Sequence, residues 1–158
     1  MPIYFYESDI GKIGISENAG RITNLYFSSD VIPQNMEIYE TPVLKEAGHQ
    51  LKLYLEGRLI KFTVPLNPVG TAFMKQMWSL LCEIPYGTTF SYKDLAIKIG
   101  KPNAARAVGL ANSRNPIPIF IPCHRVIGTD GSLTGYRGGI ELKRKLLELE
   151  KGKKYGYI

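Results

Sequence analysis

Cysteine and histidine are scarce in this chain of 158 residues: Cys82, Cys123, His49 and His124 are all there are. Two cysteines cannot build a disulfide framework, and inside a cell they are expected to be free thiols. A structural zinc site asks for four Cys/His ligands at short spacings. These residues have no such spacing, so no metal is expected. Long apolar runs are missing too. A bilayer-spanning helix takes about 20 consecutive apolar residues, whereas the most apolar stretch, Ile117–Ile121, is short and carries Pro118. The opening MPIYFYESDI has no basic start and meets Glu7 and Asp9 early, unlike a secretory signal. With 44% hydrophobic and 22% charged residues, the composition is globular rather than disordered. A soluble intracellular protein of one compact domain or two small ones is expected.

The net charge of +6 is unevenly placed. Met1–Pro68 holds six basic and eight acidic residues, net −2, and Val69–Ile158 holds fourteen and six, net +8. A basic block beside a near-neutral one points to a polyanion-binding module. Charge alone leaves a solvated lysine-rich surface as an equal alternative.

The first part reads as a small α+β domain. Short β-type runs, Ile3–Tyr6, Lys12–Ile15 and Ile22–Phe27, are separated by turn signals at Asp9–Gly11 and Asn18–Gly20, giving an antiparallel meander. Ser28–Glu40 reads as a loop. Thr41 caps a helix with Pro42 at its first position, and Leu44, Ala47, Leu51 and Leu55 repeat at helical spacing up to Gly57. A further strand is expected over Leu59–Val64. No chemical motif stands in this domain. Pro65–Pro68 reads as a linker, and the domains are drawn as 1–66 and 67–158.

The second part reads as mostly helical. Thr71–Cys82 is a helix with Phe73, Met77, Leu80 and Leu81 on one face, and Cys82 as a small core residue. Ser91 caps a short helix, Tyr92–Ile99, with Asp94 suited to its first turn. Gly100–Pro102 breaks it, and another helix runs from about Asn103 to Ala111. The pair resembles a helix-turn-helix. Its second member offers one long polar side chain, Arg106, among Ala104, Ala105, Ala107 and Gly109, which favours shallow, sequence-tolerant contact over base reading. The proline-bracketed segment Asn115–Pro122 leads into Cys123–His124–Arg125. Cationic neighbours lower a thiol pKa and argue for a reactive rather than a structural cysteine. Gly135–Gly139 reads as a loop. The last helix is Ile140–Lys151, with Leu142, Leu146 and Leu149 inward, before a loosely held tail over 152–158.

Ile121–Pro122–Cys123–His124–Arg125–Val126 resembles the active-site signature of the O6-alkylguanine-DNA alkyltransferases, which repair DNA by direct reversal. Ser91–Tyr92, the Ala-Ala-Arg-Ala-Val-Gly helix, Asn115–Pro116, Tyr136 with Gly138–Gly139, and Glu150 follow the family's order. The resemblance implies an N-terminal ribonuclease H-like α+β domain and a winged-helix domain that binds DNA and carries the cysteine. It implies that Cys123 takes the alkyl group from guanine O6, and O4-alkylthymine is a further substrate in question. His124 would activate the thiol through water, oriented by Glu150. Tyr92 would donate to the leaving base, and Asn115 would order the turn that holds Cys123. Tyr136, Arg137, Gly138, Pro122 and Val126 would shape the pocket. The family often has a small residue such as serine after this tyrosine, and Arg137 departs from that. Arg106 would fill the stack vacated by a flipped nucleotide, with its helix in the minor groove. Ser91, Arg114 and Arg125 would also face DNA. An S-alkylcysteine is a stable thioether, so each molecule would act once, with no cofactor.

The implied partner is double-stranded DNA holding O6-alkylguanine, contacted with little sequence preference by a monomer that can cluster along it. No membrane partner is implied, and the compartment is the cytoplasm with its nucleoid, or the nucleus of a eukaryote. Three alternatives stand beside this reading: a non-catalytic lesion-binding relative, a plain winged-helix DNA-binding protein with Cys123 inert, and a cysteine hydrolase.

Overall fold

The computed structural model describes Met1 to Tyr155, with side chains through Gly152. The tail expected to be loosely held lies, for residues 156–158, outside the described residues. The chain divides into two compact units, Met1–Val69 and a second beginning at Gly70, with the break just past the Pro65–Pro68 stretch.

The first unit is a four-stranded sheet covered by one helix. Strands β1 (Pro2–Ser8), β2 (Gly11–Asn18) and β3 (Arg21–Tyr26) pair antiparallel as the alternating runs predict. Ala19 and Gly20 both take positive φ, as a tight type I′ hairpin requires. A short strand β4 (Glu37–Ile38) pairs parallel with β1, in a stretch expected to be loop. Helix α1 (Pro42–Leu55) starts where Thr41 accepts from the amide of Leu44. It buries Leu44, Ala47, Leu51 and Tyr54, and the sheet buries Ile3, Ile13, Ile15, Ile22 and Leu25.

Leu59–Val64 is not a strand. Its polar groups turn to α1 instead: Gln50 donates to the Thr63 hydroxyl at 2.7 Å and accepts from the Thr63 amide at 2.9 Å. Pairing with the sheet begins only at Leu66, bridged to Ile22. β-type composition is outcompeted there by a buried amide side chain that satisfies the backbone.

The second unit holds α2 (Ala72–Leu81), the helix-turn-helix pair α3 (Tyr92–Lys98) and α4 (Ala105–Ser113), and α5 (Ile140–Tyr155). Two-residue strands β5 (Phe90–Ser91) and β6 (Val126–Ile127) pair in parallel and bring the start of α3 beside the cysteine segment. Thr71 caps α2. Ser91 and Asp94 form a reciprocal capping box on α3. Gly100, at φ 74°, ends α3 in the left-handed conformation that lets the Lys101 amide reach back to Ala96. Trp78 is buried in α2, and its indole N–H donates to the Ala111 carbonyl at 2.8 Å, which ties α2 to α4.

Two expectations about buried faces are corrected. α2 buries Met77, Trp78 and Leu81, while Cys82 is exposed, because it sits at the helix end and Ile84 takes the next core position. α5 runs past Lys151 to Tyr155, and it buries Lys143, Leu146 and Glu150 rather than a leucine stripe; Leu142 and Leu149 are only half-buried. The inward face of this helix is ionic at both ends because it closes on the cysteine segment.

Candidate active site

The segment before Cys123 is held by one amide side chain. Asn115 is buried; its Nδ2 donates to the Ile121 carbonyl at 2.8 Å, and its Oδ1 accepts from the Ile117 amide at 2.9 Å. The loop between them is strained, since Ile119 takes φ 75°, which a β-branched side chain rarely adopts. The Cys123 amide then donates to the Ile121 carbonyl at 2.7 Å, and a single 3₁₀ turn, Cys123–Arg125, follows. Asn112 of α4 adds a bond to the Cys123 carbonyl at 3.4 Å.

Behind the cysteine lies a buried ionic cluster centred on Glu150. His124 Nε2 stands 2.7 Å from its Oε2. Arg125 grips both oxygens, Nε to Oε1 at 2.9 Å and Nη2 to Oε2 at 3.0 Å, while its Nη1 donates to the Ile84 carbonyl at 2.7 Å. The Gly87 amide donates to Oε1 at 3.0 Å. Burial alone would raise the Glu150 pKa, but the bonds from His124 and Arg125 outweigh it and hold the carboxyl at about 2. Glu150 is therefore an acceptor only, so the proton on their shared bond belongs to His124 Nε2. Burial pushes the His124 pKa down against the pull of Glu150, so the ring is neutral near pH 7. Its basic nitrogen is then Nδ1.

Cys123 is 4% exposed. Burial pushes its thiol up, opposed by the Asn115 side chain and by the charges of Lys143 and Arg137. The resting group is a thiol that needs a base. It lines a cavity of ≈ 450 Å³ together with Tyr92, Gly109, Asn112, Ser113, Tyr136 and Arg137. The Tyr92 hydroxyl shares a 2.5 Å bond with Thr134. Arg137 Nη1 donates to the Asn115 carbonyl at 3.2 Å. The Tyr136 hydroxyl is buried, and burial raises its pKa well above the usual phenol value.

Several sequence expectations need correction. Arg125 is not a surface cation, as an expected DNA contact would need; its side chain is 8% exposed, engaged by Glu150 and Ile84, and lies over the Tyr86 ring at 5.7 Å. Val126 is buried and paired with Phe90, and neither it, Pro122 nor Gly138 is among the cavity-lining residues. Two partners were missed. Lys143 is a fully buried lysine whose Nζ donates to the Thr134 carbonyl at 3.4 Å and whose pKa burial lowers. Thr134 joins it to Tyr92. The one sequence signal for Lys143 is its place three residues before Leu146, which helical spacing puts on the same face.

On α4, Arg106, Ala107, Leu110, Ser113 and Arg114 are exposed, and Ala104, Ala105 and Gly109 are half-buried. Gly109 faces the Tyr92 ring, where an added Cβ would sit 3.7 Å away. Ser91 serves as the cap of α3. Among the described residues, no His/Cys/Asp/Glu group is placed to hold a metal ion, and no helix is long and apolar enough to cross a membrane.

The chain is similar to known proteins over nearly its whole length. Residues 3–68 match the model of the 6-O-methylguanine DNA methyltransferase ribonuclease-like domain, and 72–152 match that of the DNA-binding domain of the same family. A methylated-DNA–protein-cysteine methyltransferase of Methanosarcina barkeri is 50% identical over 148 residues, 91% of this chain and 93% of the relative. The constitutive enzyme of that name from Bacillus subtilis is 45% identical over 152 residues, 92% of each chain. The crystal structure of Mycobacterium tuberculosis OGT in complex with DNA superposes with a TM-score of 0.91 at 44% identity, covering 97% of this chain and 94% of that one.

Proposed function

Since the chain belongs to the 6-O-methylguanine DNA methyltransferase family, we propose that it repairs O6-alkylguanine in duplex DNA by moving the alkyl group to Cys123. The observation that carries this reading is a buried thiol lining a cavity, followed directly in the chain by a histidine fixed by a carboxylate.

The steps follow from the groups present. The +8 charge of the second part attracts the phosphate backbone. α4 enters the minor groove with its small residues against the backbone, and Arg106 takes the place of the extruded nucleotide. The guanine enters the cavity beside Tyr92. His124 Nδ1, through a water, accepts the Cys123 proton, and Glu150 steadies the imidazolium that forms. The thiolate attacks the alkyl carbon, the carbon–O6 bond breaks, and its electron pair goes to the base. Tyr92, positioned by Thr134, donates to the ring as this charge develops. The product thioether is stable, so one molecule repairs one lesion. The work is done where the DNA is, in the cytoplasm of a bacterium or archaeon or the nucleus of a eukaryote.

An oligonucleotide duplex with one O6-methylguanine tests the reading by intact mass. One methyl group should appear on Cys123 and be absent in Cys123→Ala. An unmodified protein that nonetheless binds the lesion would remove the transferase reading and leave the lesion-binding one.

A further inference from the structure

Asn112, near the end of α4, has no part in the steps above. It is 7% exposed and lines the same cavity as Cys123. Its Nδ2 donates to the Cys123 carbonyl at 3.4 Å. That bond settles which way the amide faces, since the reverse orientation would set one carbonyl oxygen against another. Its Oδ1 is buried and, among the described residues, meets no donor. A buried acceptor without a donor costs stability, and such groups are few in folded proteins. The other amide side chain on the cavity, Asn115, is already occupied, because its Oδ1 accepts from the Ile117 amide.

A base that enters the cavity can supply the missing donor, and the chemistry of the lesion leaves one group able to do so. Alkylation at O6 removes the proton from N1, N3 and N7 carry lone pairs only, and N9 bears the sugar. The 2-amino group is the N–H donor that remains on the ring. Resting on the alkyl-transfer reading above, we infer that Asn112 Oδ1 accepts a hydrogen bond from the 2-amino group of the extruded base, and that Asn112 thereby favours this ring over an O6-alkylpurine without the amino group. The analogue that lacks the donor leaves the oxygen buried and unpaired, which is how a polar site rejects a near-isostere. One neutral hydrogen bond sets the preference at about fivefold. The same side chain holds the Cys123 carbonyl, so the ring and the nucleophile are positioned against a single residue.

The test uses duplexes carrying one O6-methylguanine or one O6-methylhypoxanthine, which differ only in the 2-amino group. The full chain, Asn112→Leu and Asn112→Asp are each reacted, and single-turnover rate constants are taken from the mass gained on Cys123. Asn112→Leu has neither amide group, whereas Asn112→Asp keeps the acceptor and loses the Nδ2 donor. The guanine to hypoxanthine rate ratio should fall about fivefold in Asn112→Leu and persist in Asn112→Asp. The ratio is internal to each variant, so the folded fraction does not enter. Any difference in extrusion cost between the two lesions cancels when variants are compared. Equal slowing of both lesions in Asn112→Leu, as a purely structural role would give, overturns the inference. A ratio lost in both variants overturns it too, because the effect would then belong to Nδ2. If the full chain takes no methyl from O6-methylguanine, the alkyl-transfer reading fails first and this inference goes with it.

Discussion

Glu150 is a single carboxylate that serves His124, Arg125 and the Gly87 amide at once. Glu150→Gln leaves Arg125 buried against a neutral group, and loss of a buried ionic partner costs about 3 kcal/mol or more. The expected outcome is a lower melting temperature together with a transfer rate reduced by about 10²-fold when measured on folded protein. Unfolding monitored against temperature and single-turnover kinetics separate the two. The pH dependence has a definite sign. His124 is depressed by burial, so its neutral form costs stability once the unfolded chain can protonate, below about 6.5. Glu150 is depressed to about 2, so its contribution is full above the ordinary carboxyl range and is lost as pH falls toward that value. Urea midpoints measured from pH 7 downward should therefore decline in two stages. Cys123 and His124, the nucleophile and base of the proposed reaction, stand out in the sequence because they are adjacent. The true role of Arg125 does not, since a charged residue next to them reads as a surface cation until its distant partner on α5 is known. Lys143 is hidden for the same reason.

Elements that carry their own start and stop signals are the ones the sequence discloses. Thr41–Pro42 and the Ser91–Asp94 pair mark the starts of α1 and α3 to the residue, and α2 starts one residue after the expected Thr71, which caps it. Ser91→Ala should cost about 1 kcal/mol of stability through the lost cap, read as a shifted denaturant midpoint. α4 has no side-chain cap at Ala104, and there the expected start at Asn103 and end at Ala111 were both early. Leu59–Val64 misleads because Gln50, a residue on another element, decides its backbone's hydrogen bonds. The face of α5 misleads because Leu142 and Leu149 only flank the buried row of Lys143, Leu146 and Glu150. α4 also carries the prediction about base extrusion. Arg106→Ala should slow repair of duplex O6-methylguanine by about tenfold or more, the worth of an unstacked base. Reaction with free O6-benzylguanine should be nearly unchanged, because that substrate needs no extrusion. Equal losses on both would separate Arg106 from the flipping step.

The charge split is a property of the whole chain, −2 before Val69 and +8 from there on. Duplex repair should therefore weaken steeply with salt, as counterions released from phosphate are returned, whereas the free base should react at a salt-independent rate. Rates on both substrates across a salt series check this directly. That split and the proline-rich stretch are linear features, and both lie beside the break between the compact units at Val69 and Gly70. The closure of the site is not a linear feature, since it joins residues far apart in the chain. The Glu150 carboxylate reaches Gly87, His124 and Arg125 across 63, 26 and 25 residues. This has a consequence in time. A ribosome makes the chain from its N-terminus, so Cys123 is synthesised before the helix that carries Glu150. Until Glu150 has emerged and α5 has docked, the thiol is an ordinary cysteine without an oriented base. On the proposed alkyl-transfer reading, a protein that reacts only once would thereby be spared from being used up while it is still being made.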